Sequence, residues 1–303
     1  MSKILVTGGS GLVGRCFTGD GFVGLSSKDG DLRNRQHVSL LLNKESYDGV
    51  IHCAAKVGGV LGNTKNPADY FYDNISINTN VIDEARLSGV KKLVFFSSTC
   101  VFPDKVEYPL TPDKIHLGPP HNSNYAYAYA KRMGQVQIQA YRKQYGVNYF
   151  SVIPCNIYGP GDFYNLEEGH VIPSLIHKMF LAHRNNEDFV VWGSGAPLRE
   201  FIFSEDVAKI TMELYRKYNG EDPVILSTSE EISIKDVVHT IAKIFGFKGN
   251  IKFDTTKPEG QFRKPSDNSI LKSILPDFQF TPFEKGLEKS VNWFIENYPK
   301  IRQ

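Results

Sequence analysis

The chain has 303 residues, 41% of them hydrophobic and 22% charged, a balance that excludes disordered, collagen-like and coiled-coil classes. Its 35 basic and 33 acidic residues leave a net charge of +2, too little to make nucleic acid or a membrane surface the main partner. The four cysteines, Cys16, Cys53, Cys100 and Cys155, contain no CxxC pair. No metal site is therefore expected, and reduced thiols in the cytoplasm are. No run approaches 18 apolar residues and the first residues lack the form of a signal peptide, so neither a span nor a leader is expected.

In chain order, Ile4–Val6 is a short apolar run ending in a glycine-rich turn, Gly8 to Gly14. Val50–Ala54, Leu93–Ser97 and Tyr149–Pro154 are further short apolar runs bounded by turn residues, and all read as buried parallel strands. Between them, Asn74–Ser88 and Tyr125–Tyr145 read as helices that stop at Gly89 and Gly146. Strands alternating with helices predict an α/β fold, a doubly wound parallel sheet of Rossmann type. Residues 156–200 read as irregular, Phe201–Tyr218 as a strand and helix, Pro223–Ser227 as a strand, and Ser233–Phe245 as a helix. The expected division is a dinucleotide-binding domain of residues 1–160 plus about 201–228. A smaller substrate-binding domain takes about 161–200 plus 229–303. Only about eight residues separate Gly14 from Val23 and Leu25, so the first crossover helix is expected to be very short or distorted.

Gly8-Gly9-Ser10-Gly11-Leu12-Val13-Gly14 carries glycines at three-residue spacing after the first strand. The first allows a tight turn, the second lets backbone amides approach a pyrophosphate, and the third lets the helix pack on the strand. NAD sites place Asp or Glu at the end of the second strand. Here the chain reads Ser26-Ser27-Lys28, which suits a 2′-phosphate and so NADP, with Asp31-Leu32 framing the adenine. The competing reading of Lys28 is a solvated surface lysine.

Tyr127 and Lys131 are four residues apart and share a helix face. A nearby ammonium is expected to lower the phenol's pKa from about 10 and make it a proton donor to a carbonyl. The spacing alone favours a packed tyrosine and a solvated lysine. Upstream, an extended chain through Ser98-Thr99-Cys100 would point Ser98 and Cys100 to one side at a strand's carboxyl end, where open α/β sheets hold ligands. Cys16, Cys53 and Cys155 read as small buried hydrophobes. His170, in a Gly-rich loop before Val-Ile-Pro, reads by itself as a surface or hydrogen-bond-satisfied residue.

These residues together resemble the extended short-chain dehydrogenase/reductases. The resemblance rests on GGSGLVG (8–14), AAKVGG (54–59), Ser98, YxxxK (127–131) and PCNIYGPGD (154–162). SSTCVFP (97–103), GPPHNSNYAYAYAK (118–131), GHVIP (169–173), VWGSGAPLREF (191–201) and DTTKPEGQFRK (254–264) narrow it. They point to the members that epimerise GDP-4-keto-6-deoxy-D-mannose at C3 and C5 and reduce it at C4 with NADPH. The resemblance implies Ser98, Tyr127 and Lys131 as the reductase triad and Cys100 and His170 as base and acid of epimerisation. It implies further cofactor contacts at Ala54, Ala55, Lys56, Pro154, Asn156, Ile157 and His170. The nucleotide-sugar would be held by Asn156, Lys178, Trp192, Arg199, Lys257 and Arg263, and a homodimer is implied through the helix bearing Tyr127 and its predecessor. Ser10 stands where bacterial members often carry arginine. The alternatives are another nucleotide-sugar 4-epimerase or 4,6-dehydratase, and a non-catalytic NADP-binding regulator. Dehydratases of the family usually place an acid where Thr99 and Cys100 stand, and such regulators commonly lose the Tyr or Lys.

Overall fold

The computed structural model describes residues 3–257 and 261–303. Its central sheet is built from β1 (Ile4–Thr7), β2 (Phe22–Leu25), β3 (Gly49–His52), β4 (Lys92–Phe96), β5 (Asn148–Pro154) and β9 (Val224–Leu226). All pair in parallel, in the order β2-β1-β3-β4-β5-β9. Both faces are covered. Ile4, Val6, Val94 and Val152 point into one apolar cluster, and Leu5, Leu93 and Tyr149 into another on the opposite face. That two-sided burial is why these strands read as continuous apolar runs.

Helices α1 (Arg35–Asn43), α2 (Val60–Lys65), α3 (Pro67–Leu87) and α4 (Tyr125–Tyr145) follow in chain order, with α6 (Ser204–Lys217) later in the chain. Val38, Val81, Ile82, Ala85 and Ile138 of α1, α3 and α4 cover one face. Val207, Ile210 and Leu214 of α6 cover the other. The remaining elements are β6 (Asn156–Tyr158), α5 (Val171–Asn185), β7 (Phe189–Trp192), β8 (Leu198–Phe203), β10 (Glu231–Ser233), α7 (Ile234–Phe245), β11 (Ile251–Asp254), α8 (Ser269–Ile274) and α9 (Phe283–Asn297). They form two small sheets, β10-β8-β6 and β11-β7. A separate core joins them, with Ile176, Met179, Phe203, Val238, Leu287 and Phe294 at its centre.

Several expected boundaries move. The stretch 171–185, expected to be irregular, is a 15-residue helix. Its Pro173 falls in the first turn, where no intrahelical N–H is needed, and Ile172, Leu175, Ile176 and Met179 form its buried stripe. The helix expected at 74–88 begins seven residues earlier, at Pro67. The first crossover is shorter than any α-helix: a single 3-10 turn, Gly14–Cys16, leads through Phe17 and Gly21 into β2. A cleft of about 620 Å³ lies between that link and α6, lined by Phe17, Phe22, Ala208 and Met212. Among the described residues no helix is long and apolar enough to cross a membrane.

Candidate active site

The strand order reverses at β1, whose neighbours are β2 and β3. The turn after β1 and the loop after β3 therefore flank the crevice where open sheets bind ligands. Gly8 has φ +71°, and a Cβ there would stand 2.9 Å from the Ala54 nitrogen. A Cβ at Gly14 would stand 2.1 Å from the Gly8 oxygen. The turn is closed by Gly11 N donating to Gly8 O at 2.8 Å and by Gly9 N donating to Leu25 O at 2.7 Å. Ser10, Leu12 and Val13 complete it, with Val13 buried. The long helix whose N-terminus would face a phosphate is absent here: the 3-10 turn has no helix to lend a dipole.

Ser27 and Lys28 are exposed beyond β2. An acidic residue lies closer to this strand end than the sequence reading allowed. Asp29 folds back to accept from Ser26 N and Oγ at 2.7 and 2.8 Å, so its carboxylate is already occupied. Asp31 accepts a two-pronged contact from Arg33, at 3.0 and 2.9 Å, and Arg33 also reaches Asp73 at 3.0 Å. Leu32 packs onto the core below rather than standing clear. Ala54 N donates to Thr7 Oγ1, and Lys56 is paired with Asp73 at 2.9 Å. Pro154 ends β5, Ile157 packs on the sheet core, and Asn156 donates to Glu200 O at 2.8 Å.

Ser98 and Cys100 come together for a reason other than strand alternation. β4 ends at Phe96, and Thr99–Val101 is a 3-10 turn capped by Ser98, whose Oγ accepts from Cys100 N at 3.2 Å. Asn124, the residue before α4, donates through Nδ2 to Cys100 Sγ at 3.0 Å. One turn on, the Tyr127 phenol comes within polar reach of the Ser98 hydroxyl, which favours its charged form. The Lys131 ammonium donates to Phe96 O at 2.8 Å and lies 5.9 Å from the Tyr127 ring centre. The expectation that Tyr127's pKa falls is overturned. Burial pushes it well up, and Ser98 opposes only in part. The same burial pushes Lys131 down to about 8. Sequence reasoning passed over Asn124 and Arg132, which carried no signal beyond adjacency to the motif. Arg132 is buried and donates to Val101 O at 3.1 and 2.5 Å and to Gly118 O at 3.0 Å, clamping the Cys100 turn to α4.

His170 stands just before α5; its side chain is exposed, and the protein crowded around it pushes the imidazole below the ordinary value. Its loop is tied to the one after β3 by Gly59 N donating to Glu168 O at 2.6 Å. Tyr70 of α3 faces both Glu168 and Tyr127. No hydrogen bond joins His170 to Cys100 among the described residues.

The expected nucleotide-sugar residues divide. Lys178 and Lys257 hold their ammonium groups 4.6 and 5.8 Å from the exposed Trp192 ring centre. Arg199 donates to Leu198 O at 2.7 Å, and burial lowers its pKa as it lowers that of Lys178. Arg263 is turned to Glu231 in an ion pair, with Nε 3.1 Å from Oε1, so its guanidinium is engaged. Lys264, unmarked in the sequence reading, lies within electrostatic reach of both Cys100 and Arg199. The central part of the 254–264 motif, 258–260, lies outside the described residues.

Residues 4–226 match the family described as "NAD dependent epimerase/dehydratase family". The GDP-L-fucose synthase of Dictyostelium discoideum is 46% identical over 99% of this chain and 97% of its own length. That of Escherichia coli (strain K12) is 36% identical over 89% of this chain and 90% of its own. A solved GDP-L-fucose synthetase from Naegleria fowleri bound to NADP is similar with a TM-score of 0.94 at 44% identity, covering 100% of this chain and 95% of that one.

Proposed function

The chain belongs to the NAD dependent epimerase/dehydratase family and, within it, to the GDP-L-fucose synthases, and from that membership we propose how its own residues carry the reaction. It is an NADPH-dependent epimerase and oxidoreductase that converts GDP-4-keto-6-deoxy-D-mannose to GDP-L-fucose, by 3,5-epimerisation and then reduction at C4. The glycine turn fits NADP: Gly8 and Gly14 leave free the space that a Cβ would fill, and Ser27 and Lys28 stand exposed for the 2′-phosphate. When bound, NADPH supplies the hydride that reduces C4.

The C4 ketone acidifies the hydrogens at C3 and C5. Cys100 removes those protons, and His170 returns a proton from the opposite side. Ser98 and Tyr127 hold the C4 oxygen while negative charge develops on it, the kind of preorganised donation that stabilises an enolate. Tyr127 then gives that oxygen its proton during reduction. Lys131 fixes the ribose side of the site. One observation carries this reading. Ser98 caps the turn that presents Cys100 and also faces the Tyr127 phenol, so base and acid share one oxygen-binding group.

The dinucleotide is assigned to residues 1–160 plus about 201–228, and the nucleotide-sugar to about 161–200 plus 229–303. Lys178, Trp192, Arg199 and Lys257 contact the sugar nucleotide. Arg263 does so only by sharing its bond to Glu231. A homodimer through α3 and α4 is supported by exposed Phe71, Tyr72, Met133 and Val136 on those helices. A cytoplasmic location is supported by four cysteines that are all free.

The test is turnover of GDP-4-keto-6-deoxy-D-mannose with NADPH in heavy water, the product read by NMR. The native chain gives GDP-L-fucose with deuterium at C3 and C5. Cys100→Ser, whose hydroxyl is too weak an acid to serve as base, gives slow reduction to a GDP-6-deoxyhexose of D configuration without deuterium. GDP-L-fucose deuterated at both carbons, at near-native rate, from Cys100→Ser would remove Cys100 from the mechanism.

A further inference from the structure

Cys100 is half-buried, and its sulfur receives one side-chain hydrogen bond, from Asn124 Nδ2 at 3.0 Å. Asn124 is itself held by its backbone, whose N–H donates to His121 O at 3.2 Å. It also heads α4, the helix that carries Tyr127 and Lys131. An amide N–H pointing at sulfur is a donor only, so it stabilises the thiolate more than the thiol. Hydrogen bonds to charged groups are the stronger class. The other groups that face this sulfur are few. Ser98 bonds the backbone N–H of Cys100. Tyr127, on α4, faces it as a neutral phenol. Lys264 is also within electrostatic reach, with its pKa lowered by burial and with Arg199 and Asp104 as its own charged neighbours.

We propose, on the reading of Cys100 as the epimerisation base, that Asn124 is a positioning residue that aims the Cys100 sulfur and donates its amide N–H to that sulfur when it carries negative charge. The second buried atom of Asn124 fits this. Its Oδ1 has no protein partner, so the amide is oriented by the sulfur rather than by a competing contact. α4 thereby sets both halves of the reaction: Tyr127 for reduction through its own oxygen, Cys100 for epimerisation through Asn124.

The test reads the thiol directly. Iodoacetamide alkylation of the whole protein is followed against pH, with peptide mass analysis at Cys100. Cys16, Cys53 and Cys155 are set apart because burial pushes their thiols up. Asn124→Ala is expected to raise the Cys100 midpoint by about one pH unit, the size of one charge-assisted hydrogen bond. Asn124→Asp keeps the side chain's shape but brings a carboxylate, and is expected to raise it further. Deuterium entry at C3 and C5 at pH 7 falls up to about tenfold in Asn124→Ala and further in Asn124→Asp, and in both it recovers as pH rises, as expected when only the thiolate fraction has changed. Reduction of the already epimerised ketone, GDP-4-keto-6-deoxy-L-galactose, falls less than twofold. An unchanged alkylation midpoint in both variants, with NADPH still bound, overturns the proposal. So does a loss of exchange and reduction together that higher pH does not restore. Alkylation uses no substrate, so a raised midpoint supports the role of Asn124 even where Cys100→Ser leaves deuterium entry intact. That second result would count against the base assignment alone.

Discussion

Lys131 is buried and Tyr127 beside it is half-buried, and the loss of water acts on them in opposite directions because the charged form of one is an anion and of the other a cation. The phenol goes up and the ammonium comes down to about 8. At neutral pH the tyrosine is therefore fully protonated and the lysine still mostly charged. That is the right starting state for a residue that gives a proton, and it needs no lowering of the phenol's pKa. The Lys131 ammonium spends one N–H on Phe96 O and keeps others for a ligand. Tyr127→Phe retains the ring and the helix but has no proton to give. Reduction at C4 is expected to fall roughly 100-fold or more, the scale of a lost general acid, while NADPH binds within about twofold of the native affinity. Single-turnover oxidation of bound NADPH is the measurement. Near-native reduction would move the donor to another group.

At the scale of elements, the joint that decides the site is the 3-10 turn Thr99–Val101 against α4. Arg132 fastens it with three hydrogen bonds to two carbonyls, and its guanidinium also lies 5.2 Å from the Tyr129 ring centre. Removing it strands the Val101 and Gly118 carbonyls, at about 1–3 kcal/mol for each buried group left unpaired. Arg132→Met is expected to lower the melting temperature and to cut deuterium entry at C3 and C5 at least tenfold. NADPH affinity, which rests mainly on the glycine turn after β1, falls much less. Equal losses in exchange and cofactor binding would show that the joint does not separate the two. The sequence reading found α4 to the residue because Gly146 ends it in a left-handed conformation, φ +65°, a local signal. It found the sheet because buried parallel strands are apolar throughout. It missed α5 because Pro173 and His170 made a helix start look like a loop. It placed Ser98 and Cys100 together by an alternation that stops at Phe96. Asn124, Arg132 and Lys264 act through contacts between segments distant in the chain, which no spacing records.

Across the whole molecule, the loop after β6 ties the two ends of the chain together. Arg15, from the glycine turn, packs on Gly161 and over Trp293 of α9 at 5.7 Å. At the other end, Phe163 bridges to Arg302, and Tyr164 N donates to Arg302 O at 2.8 Å. Asp162 lies between them, 4% exposed. One of its oxygens accepts from Phe163 N at 2.7 Å, and the other has no partner. Burial lifts its carboxyl from 3.8 to about 7, with the Phe163 N–H and the Arg302 charge opposing. The folded chain therefore holds this proton between about pH 4 and 7, where the unfolded chain has released it. Stability from this group is complete below about pH 4 and is lost as pH rises through 7, by on the order of 4 kcal/mol in all. Asp162→Asn keeps the shape and cannot ionise. The stability of the variant relative to the native chain, from urea unfolding at fixed temperature, is expected to climb steadily between pH 4 and 7 and to level off above. Other titrating groups cancel in that difference. Two unfolding curves that run parallel across this range would mean that Asp162 is ionised in the folded protein and that Arg302 and the Phe163 N–H compensate it in full.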